Sequence, residues 1–545
     1  MWPEESTWSA EPNRFFDRTQ FSAGGRIFEI KDRCGMGRTG VLTLKHGKVE
    51  TPTLMPVINP VEVLIPADEM RREFGASLVM TNAYITMRRF GEDAAKRGVH
   101  GILNYDGPVM CDSGGYQILR YGDVDVTPDE IVGYQDRIAP DIATILDIPT
   151  GVDVSPERAR WTVEETLKRA RRAAEIRSNP NVLWCGPVQG GQFRSLVEEC
   201  AREIGRLDYH IHAIGSPVEL MEGYRYAELV ELVMAAKLNL PQDRPVHLFG
   251  AGHPMMLSLA VLMGCDLFDS AAYALYAKDG RYITAEGTHL LKDLREFPCS
   301  CKVCSSTSPE ELRAAQVDER VLMLARHNLH ATFAELRAIR QAIRDGRLWE
   351  HVQMRCAAHP KMLEGLARLT GYSKAIERFD PVTKRSAFFY LGRESLSRPE
   401  VMRHRARLLE RYEPEPRNNL LVLPCTEFER ARVPDPEQTH VIRLLPVFGP
   451  VPEELEEIYP LSQFLMPLSD DDAAFSTAAS LLREYLKKFG DRYERVLLVR
   501  NEKWEKFQVR DRSQSLSVTA WACEPVSGKV VFVEAEDFVR KEINK

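Results

Sequence analysis

From residue 52 onward the chain repeats one pattern. A short apolar run ends at a polar or glycine-rich turn, and an amphipathic stretch follows. The runs are PTLMPVI (52–58), SLVMTNAY (77–84), GPVMCDS (107–113), DIATILDI (141–148), NVLWCGPVQ (181–189), YHIHAIG (209–215), RPVHLFGAG (244–252) and CDLFDS (265–270). Between them lie stretches such as SPERARWTVEETLKRARRAAEIRS and RSLVEECAREIGRL, with apolar residues three and four apart, the spacing of a helix face. Eight strand–helix units in succession predict a (β/α)8 barrel, an α/β fold. An open doubly wound sheet is the alternative. It would usually carry an early G-x-G-x-x-G phosphate cradle, and none is present.

A barrel places its functional groups at the carboxyl ends of its strands. Asp112 ends the third run, Asp147 the fourth, Gln189 the fifth, Gly215 the sixth and Asp269 the eighth. A carboxylate at the end of an apolar strand is costly unless it is paired or used. A structural hydrogen-bonding role stays open for any one of them, but is a poor account of the whole set.

The segment after the eighth run adds a different chemistry. Cys299, Cys301 and Cys304 form a C-x-C-x-x-C run, and His327 follows in LARHNLH. Three thiolates and an imidazole match a tetrahedral Cys3His zinc site with no open position, so one structural zinc per chain is expected. The alternative is three reduced thiols in a loop. A polar, proline-flanked segment is a poor place to bury thiols as small hydrophobes.

Beyond His327 the pattern turns helical (328–375). A new unit begins at RSAFFYLGRESLSRPEVMRHRARLLERY (385–412), followed by the apolar runs NLLVLPC and THVIRLLPVFGPVP and a helix in AAFSTAASLLREYLKKFG. The expected division is an N-terminal tail (1–24), a barrel with its zinc segment (25–360), a first accessory domain (361–450) and a second α+β accessory domain (451–545). The basic runs Lys168–Arg177 and Arg403–Arg411 could meet phosphate or be solvated helix faces.

A length of 545 residues exceeds what one core organises, and 44% hydrophobic with 28% charged residues describes an ordinary water-soluble chain. No apolar run approaches the roughly 20 residues of a membrane span. The start, MWPEESTWSAEPNRFFDRTQ, is acidic and polar and does not read as a signal peptide. Eleven cysteines, some inside apolar runs, point to reduced thiols in a cytoplasm. A net charge of −7 does not advertise nucleic-acid binding, yet leaves room for a local basic surface.

The segments MCDSGGYQ (110–117), ILDIPT (145–150), GPVQGG (186–191), HAIGSP (212–217), HLFGAGHP (247–254), DLFDSA (266–271) and the C-x-C-x-x-C…H set resemble, in order and spacing, the tRNA-guanine transglycosylase family. HLFGAGHPM, YALYAKDGRYIT and the RSAFFYLGRES and VFGPVPEELEEIYPLSQF stretches are most similar to its archaeal branch. That resemblance implies exchange of guanine at position 15 in the tRNA D-loop for 7-cyano-7-deazaguanine, a step toward archaeosine. It also implies tRNA and the free base as partners, and a homodimer. Many archaeal members end in a PUA RNA-binding domain, which the final residues here do not clearly match.

By the same resemblance Asp269 is the nucleophile and would hold the ribose as a covalent ester. Asp112, followed by the flexible Ser113-Gly-Gly, is the general acid/base, as in the paired carboxylates of retaining glycosidases. Asp147 suits the N1 and N2 donors of a guanine edge; Gln189 and the Gly215–Ser216 backbone suit its O6. Tyr116 would stack on the base or pack beside it. Ser113 joins the substrate-binding set. Two other functions remain open on these residues: an N-glycosidic hydrolase with a pocket open to water, and a binding subunit without activity. Retention of both Asp112 and Asp269 speaks against the last.

Overall fold

The computed structural model describes residues 27–115, 126–424, 433, 435–467, 471–499 and 530–533. The tail 1–24, Tyr116 and most of the stretch after residue 499, where a PUA domain was considered, lie outside the described residues.

Eight parallel strands form one sheet: β4 (Thr53–Pro56), β5 (Val79–Asn82), β6 (Val109–Asp112), β7 (Ile142–Thr144), β8 (Leu183–Val188), β9 (Ile211–Ile214), β10 (Val246–Leu248) and β11 (Leu267–Ser270). Their order around the sheet is β4-β11-β10-β9-β8-β7-β6-β5, and a parallel bridge from Val57 to Met80 joins its two ends. The barrel expected from the pattern of runs is therefore present, one strand to each run. Helices pack side by side around it. Their starts follow ordinary capping chemistry: Thr127 and Glu130 form a reciprocal capping box before Pro128–Ile138, and Ser155 caps Pro156–Ile176.

The sequence pattern did not disclose the antiparallel sheet β1 (Phe28–Cys34), β2 (Gly37–Leu44) and β3 (Gly47–Thr51). Phe28, Leu42, Leu44 and Val49 from this sheet share one buried cluster with Met55, Met110, Ile142, Leu183, Ile211 and Leu267 from the barrel interior. The sheet therefore stoppers the amino-terminal mouth. The inside of the barrel is packed, which leaves the carboxyl mouth as the end where such a fold carries functional groups.

After β11, a hairpin of β12 (Arg281–Ile283) and β13 (Thr288–Leu290) leads to the cysteine segment and to the long helix Val317–Arg344. Met362, Leu366, Leu369 and Ile376 belong to the barrel's hydrophobic cluster, so this core runs past residue 360. A separate five-stranded sheet follows, in the order Gly449–Pro452, Thr439–Leu445, Asn419–Pro424, Arg495–Val499, Val530–Val533, with helix Asp472–Phe489 packed on it. Residue 450 lies inside a strand of this sheet, and strands from both sides of it pair in one layer. Strand pairing across a long connection is a tertiary matter that local composition does not report.

The two basic runs are largely committed within the molecule. Arg169 pairs with Glu165, Arg171 with Glu203, Arg172 with Asp129 and Arg177 with Asp208. Arg403 pairs with Glu377 and Asp380, and Arg405 with Glu484.

Candidate active site at the carboxyl mouth

Four strand ends bring Asp112, Asp147, Gln189 and Asp269 to the open mouth. Asp112 closes β6 and receives hydrogen bonds on Oδ2 from Asn82 Nδ2 at 2.7 Å and from the Gly114 N–H at 3.2 Å. A small part of its surface stays open, yet protein surrounds it. That enclosure, with the negative charge of Asp147 and Asp269 nearby, pushes its carboxyl up to about 7. Asp112 is thus suited to carry a proton near neutral pH, as a general acid must.

Asp147 follows β7 and is buried. Burial pushes its carboxyl up to about 6, although the Gln189 Nε2 donor at 2.6 Å from Oδ2 works in the opposite direction. Its Oδ1 faces bare backbone: a Cβ on Gly115 would lie 2.5 Å from it. Gln189 is fixed in one orientation, since Oε1 accepts from Ser216 Oγ at 2.8 Å and from the Thr150 N–H at 3.0 Å. With Oε1 occupied and Nε2 carrying two hydrogens, one N–H remains for a ligand.

Gly215 lies against this amide; a Cβ there would sit 2.2 Å from Gln189 Nε2. The Gly215 N–H, expected as a donor to the base, instead donates to Val188 O at 2.9 Å. Gly215 therefore supplies space rather than a hydrogen bond. Ser216 has a left-handed backbone, φ 60°, which aims its hydroxyl back at Gln189. Ser113 is fully buried and its hydroxyl donates to Ile145 O at 2.9 Å, tying the end of β6 to the next strand.

Asp269 lies in β11. Its Oδ1 accepts from His247 Nε2 and from the Gly250 N–H, both at 2.8 Å. The sequence reading missed Asn82, His247 and Gly250. Asn82 does end the second run, so the strand-end rule could have found it. His247 sits one strand over from its partner, and only the sheet register brings them together.

Two groups among the described residues could hold a metal ion. In the first, the ligand atoms of Cys299, Cys301, Cys304 and His327 lie within 4.8 Å of one another. His327 fits a ligand's role on an independent ground: Nε2 is 2.9 Å from Ile283 O and so carries the hydrogen, leaving the Nδ1 lone pair aimed at the sulfurs, 3.3 Å from Cys304. The Tyr282 ring stacks on the imidazole at 3.6 Å and fixes its plane. The second group, His46, His100 and Asp141, lies at the opposite mouth and is already closed on itself by hydrogen bonds.

The family profile described as queuine tRNA-ribosyltransferase matches residues 32–361. A protein of Methanosarcina mazei named tRNA-guanine(15) transglycosylase is 48% identical over 456 residues, covering 83% of this chain and 90% of the relative. The protein of that name from Methanocaldococcus jannaschii is 47% identical over 457 residues, covering 81% and 68%. That from Methanobrevibacter smithii is 42% identical over 496 residues, covering 87% and 73%. No helix among the described residues is long and apolar enough to cross a membrane.

Proposed function

The chain belongs to the queuine tRNA-ribosyltransferase family, and on that premise we propose that it replaces guanine at position 15 of tRNA with 7-cyano-7-deazaguanine, using the Asp112–Asp269 pair. The relatives are named for transglycosylation of guanine at position 15 of tRNA, and in this chain that exchange is a step toward archaeosine. The observation that carries the mechanism is the unequal treatment of the two carboxyls. Asp112 is pushed up to about 7, while Asp269 is held by two donors on a single oxygen.

In the first half-reaction an Asp269 oxygen bonds to the ribose C1′. The C1′–N9 bond breaks, its electron pair leaves with guanine, and Asp112 supplies the proton to the departing base. In the second half the incoming deazaguanine gives a proton to Asp112 and its N9 displaces Asp269. The buried Asp147 accepts from N1–H and N2–H of either base, and the spare Gln189 N–H donates to O6. Adenine would leave these groups unpaired. The target nucleotide must leave its stack to reach this mouth. The test is labelled guanine incorporated into tRNA, with trapping on denaturing gels. Wild-type protein should give a tRNA adduct and Asp269→Asn none, with tRNA binding retained. An undiminished adduct in Asp269→Asn would move the nucleophile elsewhere, Asp112 first. Hydrolysis of the tRNA without base uptake would make the protein an N-glycosidase.

Cys299, Cys301, Cys304 and His327 would hold one structural zinc, binding the segment after β11 to the helix Val317–Arg344. Elemental analysis should find one zinc per chain, lost in a Cys301→Ser/His327→Ala double variant; full occupancy there would reject this ligand set. Exposed Leu275, Leu290 and Val317 in this part of the chain are consistent with a homodimer, which light scattering would size.

A further inference from the structure

His247 is an expensive residue in its position. On β10, Val246 and Leu248 belong to the cluster under the helices, so His247 points to the opposite face, into the barrel. It pairs in register with Ala213 on one side and Leu267 on the other, both part of the interior cluster. Its side chain is 0% exposed, and among the described residues its Nδ1 has no partner. A leucine or phenylalanine would fill this space without leaving a buried nitrogen unpaired. The ring has a single polar use: Nε2, which must carry the hydrogen because it meets a carboxylate, 2.8 Å from Asp269 Oδ1. Phe249 packs edge-on against the imidazole with centroids 4.7 Å apart and holds its plane.

The second donor to the same atom is equally specific. Gly250 has φ +65°, and a Cβ there would come within 2.5 Å of Val218 Cγ2. Only glycine takes this left-handed turn beside Val218, and the turn aims the Gly250 N–H at Oδ1. Among the described residues both hydrogen bonds that Asp269 receives go to Oδ1.

We propose that His247, with the Gly250 N–H, selects the attacking oxygen: by holding Oδ1 they leave Oδ2 as the atom that bonds to the ribose. This rests on the assignment of Asp269 as nucleophile, and it makes His247 a positioning residue. Two donors on one oxygen stop the carboxylate from turning about its Cβ–Cγ bond and keep Oδ2 aimed. In the ester, Oδ2 is bonded to C1′ and Oδ1 becomes the carbonyl oxygen, still accepting from both donors. When N9 of the incoming base displaces the ester, the electron pair of the C1′–Oδ2 bond returns to the carboxylate, and the same donors stabilise the charge that reappears on it.

The experiment compares His247→Phe, which keeps a ring and removes the donor, with His247→Gln, whose amide N–H reaches a similar point. Read out are the single-turnover rate of adduct formation, kcat and KM for exchange, and affinity for free guanine. His247→Phe should slow adduct formation and kcat about 100-fold, the cost of a misaimed reacting group. KM for tRNA and guanine affinity should stay at the wild-type level. His247→Gln should recover most of the rate. Wild-type rates in His247→Phe would overturn the proposal. So would a His247→Gln rate as low as that of His247→Phe, because a packing role alone would not distinguish donor from non-donor in this direction. If His247→Phe does not fold, His247→Met replaces it in the same comparison. An adduct that forms in the wild type but survives in Asp269→Asn rejects the nucleophile itself. An adduct on Asp269 formed at full rate without His247 rejects only the selection of the oxygen.

Discussion

Asp141 and Asp266 stand at the amino-terminal mouth of the barrel, and Asp147 and Asp269 lie a few residues further along the same two strand segments, at the carboxyl mouth. Each lower carboxylate is saturated. Asp266 takes Arg38 Nε on Oδ1 and Arg38 Nη2 and the Val246 N–H on Oδ2, all at 2.8 Å. Asp141 takes His46 through both its backbone N–H and its ring, His100 Nε2, and the Val109 N–H. Burial by itself would raise Asp141, but the bonds from His100, Val109 and His46 more than offset it and hold the carboxyl below its ordinary value. At the upper mouth, among the described residues, Asp147 has one side-chain donor, and the enclosed Asp112 is held by Asn82 and the backbone N–H groups of Ser113 and Gly114; burial nevertheless pushes both carboxyls up. The lesson is that a buried aspartate at a strand end is structural when its oxygens are satisfied from within. It is a candidate for chemistry when burial and neighbouring negative charge outweigh its donors and raise its carboxyl.

The strongest way to break this contrast is to unpair a lower carboxylate. Arg38→Met should leave Asp266 buried without its cation and cost about 3–5 kcal/mol of unfolding free energy, read by urea denaturation. Guanine affinity of the folded fraction should not change. A loss below about 1 kcal/mol would mean the lower pair is not what stabilises that mouth.

The converse applies to Asp112. Its folded value of about 7 is above the 3.8 of an unperturbed side chain. Between these values the folded protein keeps a proton that the unfolded chain has released. Stability must therefore fall as pH rises through that window, and the full cost remains above it. Asp112→Asn removes the effect. Relative to wild type it should gain up to about 3 kcal/mol on going from pH 4 to pH 8, while exchange is lost. A stability difference independent of pH would deny that Asp112 holds a proton in the folded state. In the wild type, guanine release should decline above about pH 7 as this acid is lost.

Asp147→Asn sharpens the contrast with the smallest effect. An amide facing two N–H donors presents one wrong group, so guanine and deazaguanine affinity should fall by about 2 kcal/mol with the fold intact. Calorimetry showing unchanged affinity would remove Asp147 from base recognition.

Much of this molecule is written in local pattern. The eight runs became eight strands because a parallel barrel strand is buried on both faces and must be apolar along its length. The C-x-C-x-x-C spacing puts three thiols on one short loop, within reach of a single point. DIATILDI and CDLFDS, however, each carry an aspartate near both ends. Nothing local says which one is held by partners at the amino-terminal mouth and which is placed at the carboxyl mouth. That was decided by Arg38, His46 and the sheet β1–β3 arriving at one mouth, and by His247 and Gln189 arriving at the other. Such partners come from strands and loops distant in sequence. A carboxylate's role depends on which donors reach it in space, so only the closed barrel could divide the aspartates into two held by partners at the amino-terminal mouth and two gathered with Asp112 and Gln189 at the carboxyl mouth.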